Sequence, residues 1–291
     1  MIFQGSAVAL VTPFNSKGEV NFFELHRLIE FHIASNTKAL VILGTTGESP
    51  TISNEERNKI IKFCVGLVNK RIPVIIGTGS NSTDTAIKQT KEAENLGADG
   101  VLIVTPYYNK TNQNGLYLHY KTIANETKLP IIIYDVPSRT GIHITAETVK
   151  KLSKIKNIVA IKDASGNINE TIKLLKVLPK NFAVYSGDDI LTYPMMCLGA
   201  KGVISVTANA YPNLVSTMCD NLLNRDYSNA LRIHNHLYNI SSALFLDVNP
   251  ICIKYYLNLL GRRVGNPRMP LSEASKSIKL KLEKLRCEYE N

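Results

Sequence analysis

The sequence predicts an α/β fold, a closed (β/α)8 TIM barrel with a C-terminal helical appendage, and three observations carry that expectation. Eight apolar, β-branched runs recur at roughly the 30-residue interval of a βαβ unit. They cover residues 6–11, 39–43, 73–76, 100–104, 130–134, 158–161, 182–185 and 202–206. Most are continuous rather than alternating, as strands covered on both faces should be. Amphipathic stretches with helix start signals lie between them. Right-handed crossovers then leave a closed parallel barrel as the expected topology.

The elements follow in order. After the first run, Asn21-x-x-Glu24 resembles a capping box, and Leu25, Leu28, Ile29, His32 and Ile33 form one apolar stripe behind it. Ser53-x-x-Glu56 marks the next helix start after the second run, and Asn167-x-x-Glu170 the one after the sixth. Gly97 and Gly199 stand where the helices before the fourth and eighth runs should stop. Beyond the eighth run, helical patterns cover about residues 214–223, 228–246 and 250–260, and a polar helix runs to the end. Residues 1–225 are therefore assigned to a catalytic barrel and 226–291 to a helical region. No low-complexity linker separates them.

Bulk properties narrow the function classes. A chain of 291 residues is within the range of one α/β barrel. With 44% hydrophobic and 20% charged residues it can bury a large core. No window approaches 18 uninterrupted apolar residues, so no membrane helix is expected. The short apolar stretch at residues 7–11 has no basic region before it and does not resemble a signal peptide, which points to the cytoplasm. Five scattered cysteines without a C-x-x-C disfavour zinc and disulfides, and reduced core thiols are the expectation. The net charge of +10 raises nucleic acid as a partner, but the lysines are spread over many helical faces. A general positive field would also favour small anionic substrates.

In such a barrel, chemistry belongs at the C-terminal ends of the strands. Those ends read Gly44-Thr45-Thr46-Gly47-Glu48, Thr105-Pro106-Tyr107-Tyr108, Tyr134 to Gly141, Lys162-Asp163, Ser186-Gly187-Asp188-Asp189 and Ile204-Ser205. Lys162 closes an apolar run, and burial disfavours its ammonium form. A lysine made neutral in this way attacks a ketone to form a Schiff base. One lysine, several hydroxyls and one arginine converge on the mouth, without a histidine or a clear metal-ligand set. That combination favours carbonyl chemistry through an imine over Ser-His-Asp hydrolysis or zinc chemistry. Thr45 and Thr46, flanked by glycines, can hold a carboxylate through hydroxyl and backbone donors.

Each residue also has a purely structural reading. Lys162 could snorkel to solvent, Tyr134 could plug the rim, and Arg139 could pair with a surface carboxylate. Gly44 and Gly47 could serve a turn only. Asp188 and Asp189 could hold a metal, but an N-cap after Gly187 is the preferred reading. His234 and His236 fall outside the barrel, and Gly77-Thr78-Gly79 lacks the third glycine of a dinucleotide fingerprint.

Six strings together are specific: GTTGES (44–49), TPYYNK (105–110), YDVPSRTG (134–141), IKDASGN (161–167), SGDD (186–189) and GVISVTAN (202–209). In order and spacing they resemble the dihydrodipicolinate synthase family of the N-acetylneuraminate lyase superfamily, from Gly5 to about Gly261. The resemblance implies that Lys162 forms an imine with pyruvate, which then condenses with L-aspartate 4-semialdehyde on the diaminopimelate route to L-lysine. It implies that Tyr134 transfers protons with Thr45 and Tyr108 as relay partners, Tyr108 reaching into a neighbouring subunit. Thr46, Gly187 and Ile204 would bind pyruvate, and Arg139 would hold the carboxylate of the semialdehyde. Neither a metal nor an organic cofactor is implied, and the usual assembly is a homotetramer made of tight dimers.

Two departures stand out. Asp135 replaces the family's usual asparagine. Ser49, Asn81 and Tyr107 match the lysine-binding pattern of the feedback-inhibited branch, but Asn54 and Arg57 occupy its histidine positions and Thr85 its acidic one. Weak or absent inhibition by free lysine is the expectation. Among rivals, an aldolase for N-acetylneuraminate or a 2-keto-3-deoxy sugar acid would want neutral groups where Arg139 stands. A pyridoxal-phosphate barrel would absorb near ~400 nm, a property of the bound imine. A silent barrel that binds ligands or nucleic acid would show salt-sensitive DNA binding.

Overall fold

Eight parallel strands close on themselves in chain order in the computed structural model, which describes residues 1–290. They are β1 (Gly5–Ala9), β2 (Ala39–Ile42), β3 (Val74–Gly77), β4 (Gly100–Val104), β5 (Ile131–Asp135), β6 (Ile158–Asp163), β7 (Ala183–Ser186) and β8 (Gly202–Ser205). The helices over the first half are α1 (Phe22–Ala34), α2 (Asn54–Val68), α3 (Thr83–Asn95) and α4 (Gln113–Asn125). Next come α5 (Pro137–Thr140), a single turn, then α6 (Ala146–Leu152), α7 (Ile168–Val177), α8 (Thr192–Cys197) and α9 (Pro212–Leu223). Three further helices follow: α10 (Tyr227–Ala243), α11 (Ile251–Leu259) and α12 (Lys276–Glu290). No helix among the described residues is long and apolar enough to cross a membrane.

All eight expected runs become strands, displaced by at most two residues at either end. The most consequential displacement is in β6, which continues through Lys162 and Asp163 rather than stopping at Ile161. Lys162 therefore belongs to the ladder, paired with Tyr134 on β5 and Tyr185 on β7. Although both faces are apolar, the side chains still alternate. Ile132, Tyr134, Ala160, Ala183, Tyr185 and Ile204 fill the barrel interior, while Ile131, Ile133, Ile161 and Val184 pack under the helices.

Helix starts follow the sequence signals with one correction. Only Ser53 and Glu56 make a full reciprocal capping box. Asn21 and Asn167 do accept from backbone amides, but Glu24 bonds to Arg27, and Glu170 to Lys173 and His143. Gly97 and Gly199 each follow a helix C-cap with positive φ, as expected. Cys64, Cys219 and Cys252 are buried thiols, whereas Cys197 and Cys287 are exposed rather than in the core.

The C-terminal segment is pinned to the barrel by Arg268, which pairs with Glu56 at 2.5 Å and donates to the carbonyls of Gly18 and Thr51. The Arg268 guanidinium holds the Glu56 carboxyl down to about 2, from its usual 4.5. A carboxyl depressed in the folded state adds stability above its unfolded pKa and loses it as pH falls through the folded value. Glu56→Gln is thus expected to flatten acid destabilisation between about pH 4.5 and 2. Identical acid-unfolding curves for the two proteins would count against this.

Candidate active site

Lys162 enters the barrel interior because it shares the parity of Ala160, and it is only 5% exposed. Its Nζ lies 4.3 Å from the centre of the Tyr134 ring, which is itself buried on the adjacent strand. Gly187 explains how the lysine finds room. A Cβ at that position would come within 2.7 Å of the Ala164 Cβ and 3.0 Å of the Lys162 Cε. Ile204 closes the interior from β8 and is 1% exposed.

At Tyr134 opens a cleft of about 540 Å³, whose lining includes Thr45, Tyr134, Arg139, Asn249, Ser49 and Tyr107. Arg139 comes from α5, the single turn that Pro137 starts directly after β5. This exposed arginine donates to the Asn249 carbonyl at 3.3 Å. Thr45 is half-buried in the β2–α2 loop. Thr46 is buried beside it and accepts from the Asn249 Nδ2 at 2.9 Å. Lys162, Thr46, Gly187 and Ile204 are not among the residues that line this cleft.

Tyr108 is a predicted residue that the fold does not bring into its own cleft. It is 91% exposed, with φ of 66°, a left-handed conformation that bulky residues rarely adopt. Asn81 also lies outside the cleft lining, its carbonyl accepting from the Asn109 side chain at 3.3 Å.

Asp135 turns out to face away from the chemistry. Being one residue after Tyr134, it points into the helix layer, where it accepts from the Ile144 amide at 3.1 Å and meets the His143 Nδ1 at 2.7 Å. Burial raises its pKa against the opposing pull of His143, and its carboxylate raises that of His143. Asp188 and Asp189 correct the N-cap expectation, because α8 starts only at Thr192 with Leu191 as its N-cap. Asp188 accepts from the Ile190 amide, while Asp189 accepts from Ser205 and from the amides of Val206 and Thr207, fastening β7 to the end of β8. His234 stacks on Tyr193 and His236 packs on Tyr289, both away from the mouth.

Asn249 is the site residue that sequence reasoning missed. It sits between Thr46 and Arg139, yet it belongs to the α10–α11 connection more than 100 residues from either. Its only sequence signal was a polar residue before Pro250 at a helix start.

A buried amine facing an aromatic ring inside a barrel mouth suits carbonyl chemistry through an imine, the chemistry of lyases of the class I aldolase type. The chain belongs to the dihydrodipicolinate synthetase family, whose sequence profile matches residues 2–287. It is 46% identical over 290 residues to a 4-hydroxy-tetrahydrodipicolinate synthase from Clostridium novyi, covering 100% of this chain and 97% of that one. A similar enzyme from Geotalea uraniireducens is 46% identical, with 99% of both chains covered. The crystal structure of dihydrodipicolinate synthase from Aquifex aeolicus superposes with a TM-score of 0.97 at 46% identity, covering 99% and 98%. That of the Cyanidioschyzon merolae enzyme with lysine bound gives 0.96 at 38% identity, covering 98% of each chain.

Proposed function

We propose that this protein condenses pyruvate with L-aspartate 4-semialdehyde as a cytoplasmic 4-hydroxy-tetrahydrodipicolinate synthase. The observation that carries this reading is Lys162, held inside the barrel against Tyr134 with Gly187 leaving space beside it. The Lys162 amine adds to the pyruvate ketone, water leaves, and an imine forms. Loss of a methyl proton gives the enamine, whose carbon attacks the aldehyde. The amine of the second substrate then displaces Lys162, closing the ring and releasing the free enzyme.

Tyr134 and Thr45, at the floor and wall of the cleft, carry protons between substrate and water. Thr46, Gly187 and Ile204 shape the pyruvate end, and the exposed Arg139 takes the carboxylate of the semialdehyde bidentately. The imine itself supplies the electron sink, so the reaction calls for neither metal nor organic cofactor. Tyr108 points out of its own subunit and completes the relay of a neighbouring copy, in a homotetramer assembled from dimers. Nucleic acid and membrane have no part in this reading.

Borohydride trapping with pyruvate followed by peptide mass spectrometry tests it. A pyruvate-sized adduct on Lys162 is expected, followed by turnover when aspartate semialdehyde is supplied. An adduct on another lysine, or turnover only with a sugar acid, would overturn the assignment.

The same reading extends to lysine. Arg57 is buried behind the part of the cleft that contains Ser49, its guanidinium donating to the Ser49 Oγ and the Gly77 carbonyl. Burial lowers it to about 10, so it remains a cation at neutral pH. Glu92 acts on it through space but no acidic group among the described residues forms an ion pair with it, and it would repel the amines of a bound lysine. Assays with L-lysine are expected to show weak inhibition or none, whereas inhibition at micromolar lysine would contradict this.

A further inference from the structure

Glu48 lies in the same β2–α2 loop as Thr45 and Thr46, and its backbone is left-handed at φ 57°. A glutamate does not adopt that conformation without help from its surroundings. The help comes from the C-terminal region. Lys254 on α11 is fully buried and donates to the Glu48 Oε1 at 2.8 Å. It spends its other two protons on the carbonyls of Thr12 and Asn266, both at 3.1 Å, and lies 4.0 Å above the Phe14 ring. The second Glu48 oxygen accepts from the Arg268 amide at 2.8 Å. Next to it, the Thr12 hydroxyl donates to the Gly47 carbonyl at 2.7 Å. Thus every side-chain polar atom of the buried pair is used, and three separated stretches of chain meet on two adjacent residues of one active-site loop.

Burial pushes Lys254 down to about 8, with Glu48 pulling it back up. A buried pair of this kind is a poor source of net stability compared with apolar packing, but breaking it by removing one partner is costly. Its geometry matters more here than its strength. Asn249, just before α11, donates to the Thr46 hydroxyl, so the helix that carries Lys254 touches the loop at two points.

We propose that Lys254 is a positioning residue for pyruvate, holding Thr45 and Thr46 through Glu48 in the conformation that receives the carboxylate. This rests on the pyruvate reading above, and two readouts separate its failure from the failure of that reading. Hydrogen exchange of the 44–48 peptide, followed by mass spectrometry, needs no substrate. Borohydride trapping against pyruvate concentration reads the consequence. In Lys254→Met, exchange of that peptide should quicken about tenfold or more, and half-saturating pyruvate should rise about tenfold. Trapping at saturating pyruvate should stay within about twofold.

If the single variant does not fold, the paired variant Glu48→Gln/Lys254→Met removes both charges together and should show the same two changes. A folded variant with a lowered melting temperature but unchanged exchange in 44–48 and unchanged half-saturation would overturn the proposal, leaving the pair a stabilising contact only. If the wild-type protein traps no pyruvate, the functional reading fails, and the exchange result alone decides the anchor.

Discussion

Lys162→Arg is expected to abolish borohydride-dependent capture of pyruvate and to lower turnover by more than about 10⁴-fold, the scale on which a covalent nucleophile is lost. Arginine keeps the positive charge and much of the length, so electrostatic attraction for pyruvate survives. What disappears is the ability to become a neutral amine, since a guanidinium stays protonated in any protein environment. The wider head must also fit beside Gly187, where the lysine chain already leaves only 3.0 Å to a hypothetical Cβ. Steady-state kinetics together with intact-protein mass spectrometry after reduction provide the check. Turnover within tenfold of the wild type would exclude an imine at this residue.

The second large effect is at Tyr134. Tyr134→Phe removes one oxygen and leaves the ring where it is, 4.3 Å from the amine, on a strand whose register with β6 does not depend on the hydroxyl. A positioned proton carrier contributes about 10²–10⁴ in rate. We expect kcat to fall by that factor while pyruvate is still trapped on Lys162 after prolonged incubation, because the equilibrium of imine formation does not require the phenol. Pre-steady-state trapping should show the slower approach. An unaltered trapping rate and kcat would remove Tyr134 from the proton path.

The strands were legible because a buried parallel sheet writes itself as apolar runs, and counting them put Lys162 at a strand's C-terminal end. Their limits were less legible, since the residue that ends an apolar run need not end the ladder. Lys162 and Asp163 extend β6 although neither side chain is apolar. The direction of Asp135 could have been deduced. Once Tyr134 faces the interior, the period of two sends Asp135 to the helices. Sequence order concealed Asn249 and Lys254, because their contacts with Thr46 and Glu48 span more than 200 residues. Asp189 was hidden in the same way: a local N-cap competed with a tertiary bond to β8, and the tertiary bond won.

The pairing of Tyr134 with Lys162 across one rung of the sheet divides the protein's thermal behaviour. Those two side chains separate only if the barrel opens, whereas Arg139, which takes the second partner, stands on a connecting segment, where local opening needs less free energy than global unfolding. On warming, discrimination among aldehyde partners should therefore fade at temperatures where ketone capture is still intact. For descendants of this chain, a change of second partner needs edits only in the connecting segments. The rung that makes the carbon nucleophile can be inherited unchanged.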